Sequence, residues 1–185
     1  HVTILPFTRL NGGPMDYTPG IFVMDLASVT AGKNTSWVNA TIANQLALYV
    51  TMSSPLQMAA DLPEHYAQFM DAFQFIKDVD IDWIQSKYLL AEPGEYVVIA
   101  RQGKKASQWF CGGVTDDNKR TLEVPMNFLD PGKKYEVTIY RDADDAHYRE
   151  NPQAYVIEKK TVTSEDVLPI TMAAGGGFAM SFEQK

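Results

Sequence analysis

A carboxylate and a phenol stand side by side, Asp16 and Tyr17, in a loop framed by Gly12, Gly13 and Gly20 and by Pro14 and Pro19. The carboxylate exchanges protons and accepts hydroxyl hydrogens, while the phenol adds an aromatic face with a polar edge. The glycines reach backbone angles closed to other residues and the prolines fix the chain direction, so residues 11–20 form a frame that presents those two tips. One acid is half of an acid–base pair, and no second carboxyl is tied to this loop by the sequence. The loop therefore looks built for a site with Asp16 and Tyr17 as its polar tips, and no catalytic residue is assigned. The competing reading of Asp16 is structural, its side chain bonding the loop's own amides.

The other chemistry-bearing residues have simpler readings. Asp142, Asp144 and Asp145 have the density of a calcium loop but lack its glycine and its distant glutamate, which predicts a solvated acidic loop. His65 and His147 have no Ser or Cys signature around them and are expected at the surface. Trp83, Trp109 and Tyr140 offer faces on which a ligand ring would stack, yet Trp109 lies beside Phe110 mid-strand, where one of the two must be core. Gly175, Gly176 and Gly177 follow a strand rather than precede a helix, so they are read as a tight turn and not as a phosphate cradle. The single cysteine, Cys111, excludes an internal disulfide, and no Cys/His spacing suggests zinc.

Two kinds of element must hold these residues. Apolar residues at helical spacing predict a helix over 35–52, with Val38, Ile42, Leu46 and Tyr49 on one stripe and Ala40, Ala43 and Ala47 on another, and with Asn34, Thr35 or Ser36 as its cap. Two apolar stripes imply packing on both sides. A second helix is expected over 63–77, carrying Tyr66, Phe69, Met70, Phe73 and Ile76. Asn39, in one of two glycosylation-like triplets, falls inside the first helix, which makes that triplet a coincidence. Before both helices, residues 3–10 read as an apolar strand.

Beyond Trp83 the period becomes two, giving seven strands at 96–101, 108–111, 120–126, 135–142, 155–162, 167–172 and 178–183. Pro93-Gly94 and Pro131-Gly132 suit the centres of type II turns, and short strands at this spacing predict an antiparallel sandwich able to fold by itself over 84–185. The expected organisation is two parts, 1–82 and 83–185. The first part is incomplete on its own terms, because one strand and two helices close no sheet.

Composition sets the outer limits. The chain has 185 residues, 45% hydrophobic and 21% charged, enough for one ordinary core or two small ones. Its net charge of −7 speaks against nucleic acid, because phosphate binding needs clustered Lys and Arg and neither half of the chain has a basic face. No apolar run approaches the roughly 20 residues a membrane helix needs. The opening His1-Val-Thr-Ile has neither an initiator methionine nor a signal-peptide pattern, and a chain that begins inside a longer one is expected.

The words Leu5-Pro-Phe-Thr-Arg9 and Gly13-Pro-Met-Asp-Tyr-Thr-Pro-Gly20 resemble the last barrel strand and following loop of glycoside hydrolase family 97, enzymes that cleave α-glucosides or α-galactosides. The similarity continues through Glu92-Pro-Gly-Glu-Tyr-Val-Val-Ile-Ala-Arg101, Gln108-Trp-Phe-Cys-Gly-Gly113, Asn127-Phe-Leu-Asp130, Ile139-Tyr-Arg-Asp142 and Ala174-Gly-Gly-Gly-Phe-Ala179. The resemblance implies the C-terminal end of a (β/α)8 barrel, one strand and two helices, followed by an antiparallel β-sandwich. It implies a non-catalytic fragment whose partners are the rest of the barrel and, through the whole enzyme, an oligosaccharide, with Asp16 and Tyr17 as the substrate-binding residues of a loop on the barrel's catalytic face. The family's catalytic carboxyls and calcium-holding glutamates lie upstream, so calcium is expected in the full-length enzyme and on no residue of this fragment. A periplasmic or secreted location follows by the same resemblance. The rival reading is a stand-alone carbohydrate-binding or scaffolding sandwich, which an exposed row of coplanar aromatics would favour.

Overall fold

The period-two half of the chain closes into eight strands in the computed structural model, which describes residues 1–105 and 108–185. They are β1 (Trp83–Glu92), β2 (Tyr96–Gly103), β3 (Trp109–Thr115), β4 (Arg120–Pro125), β5 (Tyr135–Asp142), β6 (Tyr155–Val162), β7 (Val167–Met172) and β8 (Gly177–Gln184). Six form one sheet in the order β1-β2-β3-β8-β5-β6, and β4 pairs with β7 in a second. Every pairing is antiparallel. The strand that the alternation missed is β1, whose register slips between Trp83 and Gln85 and again between Tyr88 and Leu90. Each slip reverses which side chains face inward, so no clean alternation survives in the sequence.

Two of the turns have the expected chemistry. Gly94 and Gly132 sit at φ +97 and +74, with Glu95 N donating to Glu92 O and Lys133 N to Asp130 O. Such angles suit the third residue of a type II turn after proline.

The large sheet is buried on both faces. On one, Val98, Ala100, Trp109, Ile139 and Phe182 pack against Val124, Ile170 and Met172 of the β4–β7 pair. The other face meets the N-terminal part, where Phe110, Tyr140 and Ala179 pack with Phe22, Ile42, Leu46 and Phe75, and Val97 and Ile99 pack with Ala47 and Leu48. Trp109 and Phe110 point to opposite faces, and both are core.

The N-terminal part departs from its sequence reading in three places. Residues 3–10 are not a strand but two 3-10 turns, Leu5–Phe7 and Arg9–Gly12. Among the described residues nothing offers this segment a ladder. Its polar groups close locally instead, Thr8 Oγ1 donating to Ile4 O and Asn11 Nδ2 to Phe7 O, while Leu5, Phe7 and Leu10 pack beside Val97 and Ile99.

A short α1 (Leu26–Val29) follows, and then α2, which spans Ile42–Thr51 rather than 35–52. Its cap is Thr41, whose hydroxyl accepts from Asn44 N at 3.1 Å, not Asn34, Thr35 or Ser36. Residues before it are held extended by tertiary contacts, Val38 N on Met24 O and Trp37 Nε1 on Tyr148 O. All ten residues of α2 are buried, as two apolar stripes require.

The second helix is broken into α3 (Pro63–Tyr66) and α4 (Met70–Asp78). Gln68 N and Phe69 N bond three residues back, to His65 O and Tyr66 O, tightening the backbone between them. Tyr66 donates its hydroxyl to Gly20 O at 2.6 Å, and Phe22 packs edge-on against both Tyr66 and Phe69. Those contacts take precedence over a continuous ladder.

Candidate functional site

A cleft of about 560 Å³ opens where the first turn of α2 meets three loops. The Thr41 cap aims two polar residues of an otherwise apolar helix at it. Asn44 gives Nδ2 to Gly176 O at 3.0 Å, and Gln45 Oε1 accepts from Gly20 N and Ile21 N at 2.9 and 3.2 Å. Both residues line the cleft, as does Thr3.

The opposite wall is the β3–β4 loop with Asp116 and Asp117. Asp116 accepts from Asn118 N and Nδ2, each at 3.0 Å, and from Arg120 Nη2 at 3.3 Å. Partial burial pushes its pKa upward, but the bonds from Asn118 and Arg120 outweigh it and hold the carboxyl below its ordinary range. Asp117 is exposed at the rim.

The β7–β8 turn forms the third side and knits the others together. Gly175, at φ +63, gives its N–H to Asp116 O at 2.7 Å and receives Thr41 N on its carbonyl at 3.3 Å. Tyr148 N reaches Ala174 O in the same turn. Beneath lies Asp142, only 2% exposed, whose Oδ2 accepts from Ala173 N and Gly177 N at 2.8 Å each. Burial pushes its pKa up to about 6, against the opposing pull of the Thr41 hydroxyl, the two amides and Arg141. Asp142 is therefore no part of a solvated acidic loop. It is the peg on which the triple-glycine turn hangs.

Of the two residues singled out in the glycine-proline loop, the fold brings one into the cleft. Tyr17 is half-buried, bridges to Gln57, lines the cleft, and has its hydroxyl pKa raised by burial. Asp16 is exposed and bonds none of the loop's amides among the described residues. Asn39, expected within a helix, precedes α2 and lines the cleft. The signal that points to this place in the sequence is the polar pair Asn44-Gln45 interrupting the apolar run from Ile42 to Val50.

The remaining candidates are structural. His65 meets the Asp61 carboxylate, which also accepts from Phe22 N and Val23 N and so straps an extended segment down. His147 is half-buried and takes Arg149 N on Nδ1 at 3.2 Å. Trp83 packs edge-on against Phe110 under Arg101, whose Nε caps α2 through Val50 O at 2.6 Å. Trp109 and Tyr140 are buried, so these aromatics form no exposed sugar platform.

Asp142 is turned inward, Asp145 accepts from Asn151 Nδ2, and among the described residues no group of three or more His, Cys, Asp or Glu converges.

The sequence profile of the glycosyl hydrolase 97 C-terminal, oligomerisation region matches residues 82–183. A retaining α-galactosidase of Bacteroides thetaiotaomicron is 34% identical over 187 residues, taking in 97% of this chain and 27% of that protein. A probable retaining α-galactosidase of Streptomyces bingchenggensis is 32% identical over 179 residues, 97% of this chain and 25% of its own length. A family 97 enzyme of Pseudoalteromonas sp. strain K8, solved with panose, superposes with a TM-score of 0.93 at 44% identity over all of this chain and 28% of that one. A β-arabinopyranosidase shares the fold, with a TM-score of 0.80 at 19% identity. The chain thus spans about a quarter of the length of the curated relatives. With that profile matching residues 82–183, more than half of its length, the chain belongs to glycoside hydrolase family 97 and carries its C-terminal, oligomerisation region.

Proposed function

We propose that this chain is the C-terminal portion of an α-glycosidase hydrolysing α-glucosides or α-galactosides, in which it is structural and holds no complete catalytic pair. The observation that carries the reading is the superposition of the whole chain on 28% of a family 97 enzyme that was solved with panose. The cleft agrees with a non-catalytic role. Hydrolysis with retention needs two carboxyls about 5 Å apart, one of them free to titrate, and here Asp116 is fixed by Asn118 and Arg120 while Asp117 stands exposed.

In this reading residues 1–82 close the catalytic barrel, and Asp16 and Tyr17 border its sugar subsite, since barrel loops at the strand ends form the site. Calcium belongs to the preceding part of the enzyme, and the protein is periplasmic or secreted. The test is incubation of this chain and of the full-length protein with nitrophenyl α-glucoside and α-galactoside. Turnover is expected from the full-length protein alone. Turnover by the 185-residue chain that survives purification to homogeneity overturns the assignment.

A further inference from the structure

We infer that the turn between β7 and β8, residues 173–176, is a proton-operated latch, held shut by Asp142 as a neutral acid and released when that acid ionises.

The two oxygens of Asp142 have unequal surroundings. Oδ2 accepts from Ala173 N and Gly177 N at 2.8 Å each, and a Cβ on Gly176 would fall on it. Oδ1 is buried and has no hydrogen-bond partner among the described residues. A carboxylate shares its charge between both oxygens and would leave Oδ1 a buried acceptor without a donor, which is costly. A neutral acid fits the same site without that cost, with Oδ2 as its carbonyl and Oδ1 as its hydroxyl. The Thr41 hydroxyl, a neighbour of the carboxyl, donates no bond to Oδ1 here, but it already accepts from Asn44 N and has a second lone pair for the acid proton.

The turn that Asp142 holds is a junction. Gly175 N donates to Asp116 O at 2.7 Å, Thr41 N to Gly175 O at 3.3 Å, Tyr148 N to Ala174 O at 3.2 Å and Thr115 N to Gly176 O at 3.1 Å. One turn thus ties the cap of α2, the end of β3 and the segment at residue 148 into a wall of the cleft.

The charged neighbours leave the carboxylate poorly neutralised. On its own strand, Arg141 gives Nη1 to Asp142 O and Nε to Glu158 of β6, with Asp144 at 3.9 Å. Asp116 meets the turn from the β3–β4 loop but is bound by Arg120, and the segment over Gly175 brings His147 and Tyr148. Tyr155, opposite on β6, spends its hydroxyl on Asp71, and α2 brings Asn44 and its cap Thr41 but no charge. Burial outweighs Arg141 and raises the pKa from 3.8 to about 6. The closed turn therefore holds the proton more tightly than an open, hydrated one, and its closure weakens as pH rises from 3.8 to 6 and stays weak above. Gly175, Gly176 and Gly177 have no side chains to anchor the turn, so water reaches Oδ1 by local opening rather than by unfolding of the sheet.

Amide hydrogen exchange of the 185-residue chain, with the Asp142 carboxyl carbon followed by NMR, is the test. The carboxyl is expected to titrate near pH 6. Protection of the Ala173 and Gly177 amides is expected to lie well below that of Val98 and Ile139 in the sheet and to fall at least about tenfold from pH 4.5 to pH 7. Asp142→Asn, a fixed stand-in for the neutral acid, is expected to keep the turn protected across that range. A carboxyl that titrates at its ordinary value, turn amides as protected as those of the sheet, or the same fall in the variant overturns the latch. If the variant does not fold, the carboxyl titration and the turn amides of the native chain decide by themselves.

Discussion

Asp142 shows how much one buried carboxyl does. Its folded pKa of about 6 lies above the ordinary value of 3.8, so the folded state holds a proton more tightly than the unfolded chain. The associated stability is fully present below pH 3.8, declines as pH rises through 6, and is absent above. Two units correspond to about 3 kcal/mol at most. Asp142→Asn keeps an oxygen for the amides of Ala173 and Gly177 but cannot titrate. Urea unfolding at pH 4.5 and pH 7 is expected to show the native protein losing about 2 kcal/mol relative to this variant across that window. Equal changes in both proteins would mean that the carboxyl does not titrate there. Asp142→Ala leaves two buried amides unpaired and is expected to cost about 2–4 kcal/mol at either pH. Strand parity made part of this legible, since Tyr140 faces the helices and residue 142 must follow it. The polar run Arg141-Asp-Ala-Asp-Asp145 hid it, because composition says solvent where parity says core.

At the scale of elements, α2 approaches the sheet so closely that the strands beneath it carry glycine. A Cβ on Gly112 would lie 2.8 Å from Ala47 O and 2.9 Å from Val50 Cβ, and one on Gly177 would lie 2.9 Å from Asn44 Cα. At these two glycines helix and sheet therefore meet backbone to backbone, while the side chains of Ile42, Leu46, Phe110 and Tyr140 fill the space around them. Gly112→Ala is expected to cost about 1–3 kcal/mol by overpacking. A chain of this size then melts about 2–12 °C lower. Gly12→Ala, with nothing within 4 Å, is the control and should leave the melting temperature unchanged. Equal melting of the two variants would show that α2 shifts freely. The two apolar stripes of α2 announced packing on both sides. Its starting residue was not legible, because the cap is chosen by Gly175 O receiving Thr41 N, a contact between residues far apart in sequence.

For the whole molecule, the question is whether the junction near residue 82 separates two folding units. Turn chemistry and alternation after it are self-consistent, which is why the strands were legible and why 84–185 read as self-sufficient. The packing runs the other way. Phe110, Val97, Ile99, Val114 and Tyr140 are all buried against residues that precede the junction, and each contributes about 1.5–3 kcal/mol by leaving water. Their sum reaches the whole net stability of a typical domain, about 5–15 kcal/mol. Removing residues 1–82 would also expose a broad apolar sheet face to other chains. Residues 83–185 produced alone are therefore expected to aggregate or to bind a hydrophobic dye strongly. Co-production with residues 1–82 should restore a soluble complex that melts cooperatively. A monomeric 83–185 fragment with a sharp transition near that of the 185-residue chain would show instead that the β4–β7 side of the sheet is core enough, and that α2 is a passenger on a finished fold.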